Sequence, residues 1–196
     1  MKDYLRQHIR ACLHCLLSKT PTVVHLDHIG HFVTSKRGNK HVLMTVDNLT
    51  KFVRLDAVKS TDTKGIINKM EDFLLDFGAP ERFITDRGRG FMSKKLEAFC
   101  RTHGIYHSVT SPRHAQANGQ VEKVNRTLLP VIQANLLEQE HDRHWDKNLK
   151  RVAWSLNSAI NKTTGRTAFE MLYGYNPRIG DGLLRQITIQ EEATRY

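Results

Sequence analysis

The domain is organised around residues 22–58, TVVHLDHIGHFVTSKRGNKHVLMTVDNLTKFVRLDAV. Residues 22–30 and 41–47 are rich in β-branched and apolar residues, and the polar, glycine-bearing SKRGNK lies between them, which predicts two strands joined as a hairpin. Residues 51–58 alternate between apolar and polar side chains and predict a third strand. The domain therefore begins with three consecutive strands.

Helices and strands alternate after this segment. In chain order we predict a helix capped by Asp62 or Thr61 and ended by Gly78, a strand at 82–86, a helix capped by Ser93 and ended by Gly104, a strand at 105–110 and a long helix that starts near Asn118. Three strands followed by this alternation predict an α/β fold in which a mixed five-stranded sheet is flanked by helices. A further helix at 145–160 has an apolar stripe that suits either a core or an interface between subunits.

Length and charge narrow the class of protein. The chain has 196 residues, enough for one main domain with short extensions, and 39% of them are hydrophobic. Its formal net charge is +10, which makes an anionic polymer such as nucleic acid the first partner to consider, with a basic protein of another kind as the alternative. No apolar run reaches about 18 residues, so we expect no membrane-spanning segment.

The cysteines suggest half of a metal site. Cys12 and Cys15 form a C-x-x-C pair, a spacing that lets two thiolates bind one zinc ion, but two ordinary cysteines on a short helix are an equal alternative. With Cys100 they are too few and too unevenly spaced for a disulfide framework, so we expect a reducing intracellular compartment.

Three acids stand at predicted strand ends and a helix start, namely Asp27, Asp86 and Glu122. Each alone could be a turn residue or an acid at the positive end of a helix dipole. If the first and fourth strands are neighbours, the three carboxylates converge. Two carboxylates about 4 Å apart repel by roughly 4 kcal/mol at an effective dielectric of 20, so such a group needs protons or cations. Oxygen-only ligands favour Mg²⁺ or Mn²⁺.

The sequence segments around these acids resemble the integrase catalytic core of retroviruses and LTR retrotransposons, most closely the Ty3/gypsy type. They are HLDHIG, ITDRGRGF and ANGQVEKVNRT. The resemblance covers roughly residues 8–178. QHIRACLHC is similar to the end of the family's His-His-Cys-Cys zinc domain, and FEMLYGYNPR to its segment after the core.

This resemblance implies an RNase H-like fold in which Asp27, Asp86 and Glu122 are catalytic and hold two Mg²⁺ or Mn²⁺ ions. It implies DNA integration: a polynucleotidyl transferase that processes DNA 3′ ends and joins them to target DNA. The expected partners are element ends, target DNA and further copies of the chain, and the expected location is the nucleus. The implied divisions are a zinc-domain remnant at 1–20, which would bind Zn²⁺ if a His pair precedes it, a core at 21–162 and an extension at 163–196.

Basic and amide side chains beside the acids are candidates for DNA contacts. Those near Glu122 are Gln116, Asn118 and Gln120 as hydrogen-bond donors and Lys123 and Arg126 as phosphate partners. Arg126 could instead form a surface ion pair with Glu122, four residues earlier.

The loop after the fourth strand is a second candidate for DNA contact. In RGRGF, Arg87 and Arg89 could touch phosphate while the glycines let the backbone approach DNA, or the loop could be a solvated turn. The scattered histidines receive no chemical role.

Two functional alternatives remain open. The first is a catalytically silent nucleic-acid-binding relic or host-adopted integrase-derived protein. The second is a general RNase H-type nuclease, which the ANGQVEKVNR segment disfavours.

Overall fold

A computed structural model describes residues 21–110, 143–161 and 165–177. Its strands form one sheet of five strands, the number predicted, in the order β3-β2-β1-β4-β5. The strands are β1 (Val23–Ile29), β2 (His41–Asp47), β3 (Val53–Val58), β4 (Arg82–Thr85) and β5 (Tyr106–Val109). The helices of the described residues are α1 (Thr63–Phe77), α2 (Lys94–Thr102), α3 (Trp145–Ser158) and α4 (Ala168–Tyr173). None of these helices is long and apolar enough to cross a membrane.

Strand pairing makes the sheet mixed. The hairpin strands β1 and β2 are antiparallel, and so are β2 and β3. Strand β4 lies parallel to β1 on the other side, and β5 lies parallel to β4. The first and fourth strands are therefore neighbours, which is the condition under which the three acids were predicted to converge.

Apolar side chains cover both faces of the sheet, because successive strand residues point to opposite sides. On one face, Val24 and Leu26 of β1 belong to a core cluster that contains residues of α1 and α2. On the other face, Ile29 belongs to a cluster that contains Trp145 and Leu149 of α3. The sheet is thus the middle layer between two sets of helices.

Local capping groups set the helix starts. The Asp62 Oδ1 atom accepts the Gly65 N–H at 2.8 Å, so Asp62 rather than Thr61 caps α1. The Ser93 hydroxyl caps α2 by accepting the Lys95 N–H at 3.1 Å. These contacts satisfy backbone donors that have no partner inside a helix.

Two predicted boundaries differ from the structure by two residues. Strand β3 begins at Val53 rather than at residue 51, because Lys51 has a φ of 64° inside a tight turn. The turn is closed by Asp47, whose backbone oxygen accepts the Lys51 N–H at 3.0 Å and whose Oδ2 accepts the Thr50 N–H at 2.8 Å. Ile160 was counted in the apolar stripe of the last helix, yet α3 ends at Ser158 and Ile160 is 71% exposed.

The C-terminal extension was predicted to be helical, but the bounds of helix α4 were not predicted, although its start has a sequence signal. Thr167 precedes the helix and Glu170 follows three residues later, the spacing of a capping box. The Thr167 Oγ1 atom accepts the Glu170 N–H at 3.0 Å, and Gly174 ends the helix with a φ of 78°. Helix α4 lies against α3. The division of the chain at residues 162 and 163 stays a prediction.

Candidate functional site

Asp27 and Asp86 lie side by side at one end of the sheet. The register of β1 and β4 pairs Leu26 with Thr85. Asp27 directly follows Leu26, and Asp86 directly follows Thr85. Neighbouring strands are about 4.8 Å apart, so the two backbones hold these acids at adjacent positions. This is the carboxyl end of the parallel strands, where ligands bind in open α/β sheets.

Alternation along β1 fixes the face on which Asp27 lies. Leu26 packs in the cluster beneath α1 and α2, while Ile29 packs against α3 on the opposite face. Asp27 has the same strand parity as Ile29, so it lies on the α3 face of the sheet. It is half-buried, whereas Asp86 is exposed. The pair therefore stands at the edge of the core and within reach of solvent.

A local turn holds Asp86 in place. Its Oδ1 atom accepts the Gly88 N–H at 2.9 Å, and its backbone oxygen accepts the Thr85 hydroxyl at 2.9 Å. Because Thr85 is only 2% exposed, this anchor belongs to the core. Within the described residues no hydrogen bond reaches the Asp86 Oδ2 atom, so one carboxylate oxygen is left for a ligand.

The loop at 87–92 is anchored to the start of α1. The Thr63 hydroxyl donates to the Gly90 carbonyl at 2.9 Å, and Phe91 is only 2% exposed. A Cβ atom at Gly90 would overlap the Thr61 carbonyl oxygen and would lie 2.8 Å from the Ile66 Cδ1 atom. The interpretation that the glycines open the backbone to DNA is therefore wrong for Gly90, whose missing side chain is needed for packing.

Arg87 and Arg89 project from this loop and are exposed. No carboxylate in the described part of the chain forms an ion pair with either of them. Two free guanidinium groups beside the acid pair are consistent with phosphate binding, which stays a prediction.

His28 lies next to the acid pair on the opposite face of the sheet. Its ring centroid is 4.9 Å from that of Phe91, and its buried Nε2 atom has no hydrogen-bond partner among the residues that the structure describes. Burial lowers the pKa of His28 to about 4, with a further lowering from His41 that outweighs the opposing effect of Asp86. His28 is therefore uncharged at neutral pH and does not neutralise the acids.

The described residues supply only part of the predicted metal site. They contain no group of three or more His, Cys, Asp or Glu side chains that could hold a metal ion. Asp27 and Asp86 offer carboxylate oxygens, which are donors of the type that Mg²⁺ and Mn²⁺ prefer, so the residues present fit such an ion as part of a larger ligand set.

The other predicted site residues lie outside the described ranges, and their roles stay predictions. They are the third acid Glu122, the DNA-contact candidates Gln116, Asn118, Gln120, Lys123 and Arg126, and the zinc candidates Cys12 and Cys15.

Comparison with known proteins decides the family. The sequence matches the family model described as the integrase core domain over residues 8–115, more than half of the chain. The chain belongs to the integrase core domain family. This confirms the resemblance on which the sequence predictions rest.

The integrase core has relatives in viruses and transposons. It is 28% identical over 163 residues to the Gag-Pol polyprotein of avian reticuloendotheliosis virus, covering 81% of this chain and 14% of that protein. It is 24% identical over 192 residues to the retrovirus-related Pol polyprotein from transposon 412 of Drosophila melanogaster, covering 89% of this chain and 15% of that protein. The chain thus spans about a seventh of the length of these curated relatives.

The fold of the integrase core also matches solved structures. One is the HTLV-2 integrase catalytic core domain, described in complex with magnesium and in a trimeric form. The TM-score is 0.61 at 20% identity, covering 76% of this chain and 95% of that chain. The predicted RNase H-like fold is confirmed by this likeness.

Proposed function

We propose that this integrase core is a DNA strand transferase that processes DNA 3′ ends and joins them to target DNA. One observation carries the proposal: the first two predicted acids, Asp27 and Asp86, occupy adjacent positions at the carboxyl ends of neighbouring parallel strands. This placement occurs in a chain that belongs to the integrase core domain family.

Asp27, Asp86 and Glu122 would together hold two Mg²⁺ or Mn²⁺ ions. When bound, such ions supply activation of an attacking oxygen and stabilisation of the leaving oxygen in a displacement at phosphorus. The likeness to an integrase core described in complex with magnesium supports this choice of metal.

The chain's own residues position the acids and the DNA. The two hydrogen bonds at Asp86 fix its backbone oxygen and its Oδ1 atom. Among the described residues no hydrogen bond reaches its Oδ2 atom, which would therefore be available to a ligand. Arg87 and Arg89 would hold phosphates beside the acids, and Lys123 and Arg126 would do so from the Glu122 segment. Further copies of the chain, element ends and target DNA would complete the assembly, in the nucleus where chromosomal DNA lies.

The test is Mn²⁺-dependent nicking and joining of a branched DNA substrate by the wild type, Glu122→Gln and the control variant Glu81→Gln. Glu81 is an exposed carboxylate before β4, at the opposite end of the sheet, so its loss changes charge without touching the acids. We expect activity in the wild type and the control and none in Glu122→Gln. Activity that survives in Glu122→Gln would refute the three-acid site.

Binding separates this proposal from its alternative. A catalytically silent nucleic-acid-binding protein would bind DNA without dependence on divalent metal, and Glu122→Gln would leave its affinity unchanged. If the wild type binds the branched DNA but neither nicks nor joins it, the relic or host-adopted alternative is favoured.

A further inference from the structure

The end of the β1–β2 hairpin carries an unbalanced positive charge. From His28 to Val46 the sequence contains no Asp or Glu, while Lys36, Arg37 and Lys40 are all present and exposed. Lys59, just after β3, is also exposed, and its Cε atom would lie 3.8 Å from a Cβ atom at Gly38. We call Lys36, Arg37, Lys40 and Lys59 the basic hairpin end.

These cations have no acidic partners within the described residues. The ion pairs there use other cations, which are Arg54, Lys69, Arg101 and Arg166. Neighbouring positive groups also repel one another: the pKa of His41 is lowered first by burial and then by His31 and Lys40. The basic hairpin end is therefore a site of positive potential that an anion would stabilise.

The hairpin lies at the same end of the sheet as the acid pair. Strand β1 runs past Asp27 into the hairpin, and the parallel strand β4 ends beside it at Asp86. Lys40 is four residues from Met44, which pairs with Asp27. At ~3.6 Å per residue its Cα atom is no more than about 14 Å from that of Met44 and, with ~5.5 Å across the strand pair, no more than about 20 Å from that of Asp27. Lys36 is nine residues from Asp27 and is no more than about 32 Å away.

Hydrogen bonds fix the hairpin before any ligand binds. The buried Ser35 hydroxyl donates to the Asp146 Oδ2 atom at 3.0 Å and accepts the Arg37 N–H at 3.2 Å. The Asn39 side-chain amide donates to the same Asp146 oxygen at 2.8 Å. The Trp145 indole N–H donates to the Val33 carbonyl at 2.7 Å.

Two further hydrogen bonds join the hairpin to Arg143, just before α3. The Lys36 N–H donates to the Arg143 carbonyl at 2.7 Å, and the Arg143 Nε atom donates to the Thr34 carbonyl at 3.2 Å. Because the backbone is already ordered, binding through the basic side chains loses side-chain entropy but little backbone entropy. A solvated basic turn would not need so many long-range contacts.

We propose that the basic hairpin end binds the phosphate backbone of the DNA duplex on which the acid pair acts. The inference rests on the proposed function. With about 3.4 Å of helix axis per phosphate along one strand, contacts fall up to about six base pairs from the reacting phosphate for Lys40 and up to about nine for Lys36. The contacts read no base sequence, because ammonium and guanidinium groups here meet phosphate oxygens.

The first test measures the salt dependence of DNA binding by the full chain. The hairpin variant is Lys36→Gln/Arg37→Gln/Lys40→Gln, and fluorescence anisotropy with a 30-base-pair duplex gives its affinity between 50 and 200 mM salt. Each lost phosphate contact lowers the slope of log K against log salt by about 0.9, so we expect a fall of about 2 to 3. An unchanged slope would overturn the proposal.

A matched control has the same loss of charge elsewhere. Arg82→Gln/Arg101→Gln/Arg166→Gln changes three exposed cations away from the hairpin: Arg82 begins β4, Arg101 lies in the last turn of α2, and Arg166 follows α3 and pairs with Glu170 of α4. We expect a slope change below about 1 in this control, because only the general positive field is reduced. A fall equal to that of the hairpin variant would show a field effect and overturn a specific site.

Position on the DNA gives the second test. Hydroxyl-radical footprints on a branched substrate with each arm labelled should lose protection within about nine base pairs of the junction in the hairpin variant and keep it in the control. The arm that loses protection distinguishes element-end duplex from target duplex. Loss of protection only beyond that distance would contradict the geometry.

Failure of this proposal is distinguishable from failure of the proposed function. Glu122→Gln should keep the wild-type salt slope while losing strand transfer. If the hairpin variant changes the salt slope but the protein shows no metal-dependent activity, the binding surface is supported and the proposed enzymatic function is refuted. If the protein is fully active but the hairpin variant leaves the salt slope unchanged, the proposed function is supported and the binding surface is refuted.

Discussion

Asn157 completes the edge of the sheet, and its removal is the stability change that the structure defines best. Strand β3 is an edge strand, with β2 on one side only. The Asn157 side chain occupies the open side at Val53: its Oδ1 atom accepts the Val53 N–H at 2.8 Å, and its Nδ2 atom donates to the Val53 carbonyl at 2.7 Å. Asn157 is 3% exposed, so both bonds are shielded from water.

Asn157→Ala removes both bonds and leaves a backbone donor and acceptor unpaired at a buried position. Each hydrogen bond contributes about 1 kcal/mol, and each buried polar group left without a partner costs about 1–3 kcal/mol unless water reaches it. Since an edge strand admits some water, we expect the free energy of unfolding to fall by about 3 kcal/mol.

Urea denaturation measures this loss. With an m value of about 3 kcal/mol/M, the midpoint should fall by about 1 M. The control is Asn68→Ala on the exposed side of α1, which should shift the free energy by no more than about 0.5 kcal/mol. A loss below about 0.5 kcal/mol in Asn157→Ala would refute the reasoning, because it would mean that Val53 regains its partners without cost.

Three further predictions concern the site and the core. Asp86→Asn should abolish Mn²⁺-dependent strand cleavage without lowering the melting temperature, because one acid beside Asp27 is removed; loss of folding would count against a metal-site role. Replacing Lys123 or Arg126 by Gln should each lower the salt slope of DNA binding by about one, and an unchanged slope would place that residue off the DNA.

The third concerns the Cys100 thiol, whose pKa burial raises to about 11. In a variant whose two N-terminal cysteines are serine, Cys100 should react with a thiol reagent at pH 8 only through molecules that have opened, and therefore far more slowly than in the urea-unfolded chain. Fast labelling of the native state would contradict its burial.

Local sequence signals predicted most of the elements because their causes are local. Asp62 and Ser93 each cap a helix through a backbone N–H two or three residues away, so a few neighbouring letters contain the information. Lys51 shows the limit of such signals. It continues an alternating pattern, yet the turn closed by Asp47 holds it at positive φ and delays the strand.

Long-range polar contacts could not be predicted in the same way. Asn157 and Val53, or Ser35 and Asp146, are brought together by packing of α3 on the sheet, and nothing in their local sequence marks the partner. The closeness of Asp27 and Asp86 was predicted only through the assumption that the first and fourth strands pair. The basic SKRGNK segment was visible in the sequence, but its place at the same end of the sheet as the acid pair became clear only from the sheet topology.

The parallel pairing of β1 with β4 also has a consequence for the order of events during synthesis. Asp27 and Asp86 become neighbours only when a strand made early joins one made much later, after the β2–β3 meander and α1 have been formed between them. Closing so long a segment is slow compared with forming a hairpin. A nascent or truncated chain that ends before β4 therefore has no acid pair, and the proposed strand transfer would require synthesis at least as far as β4.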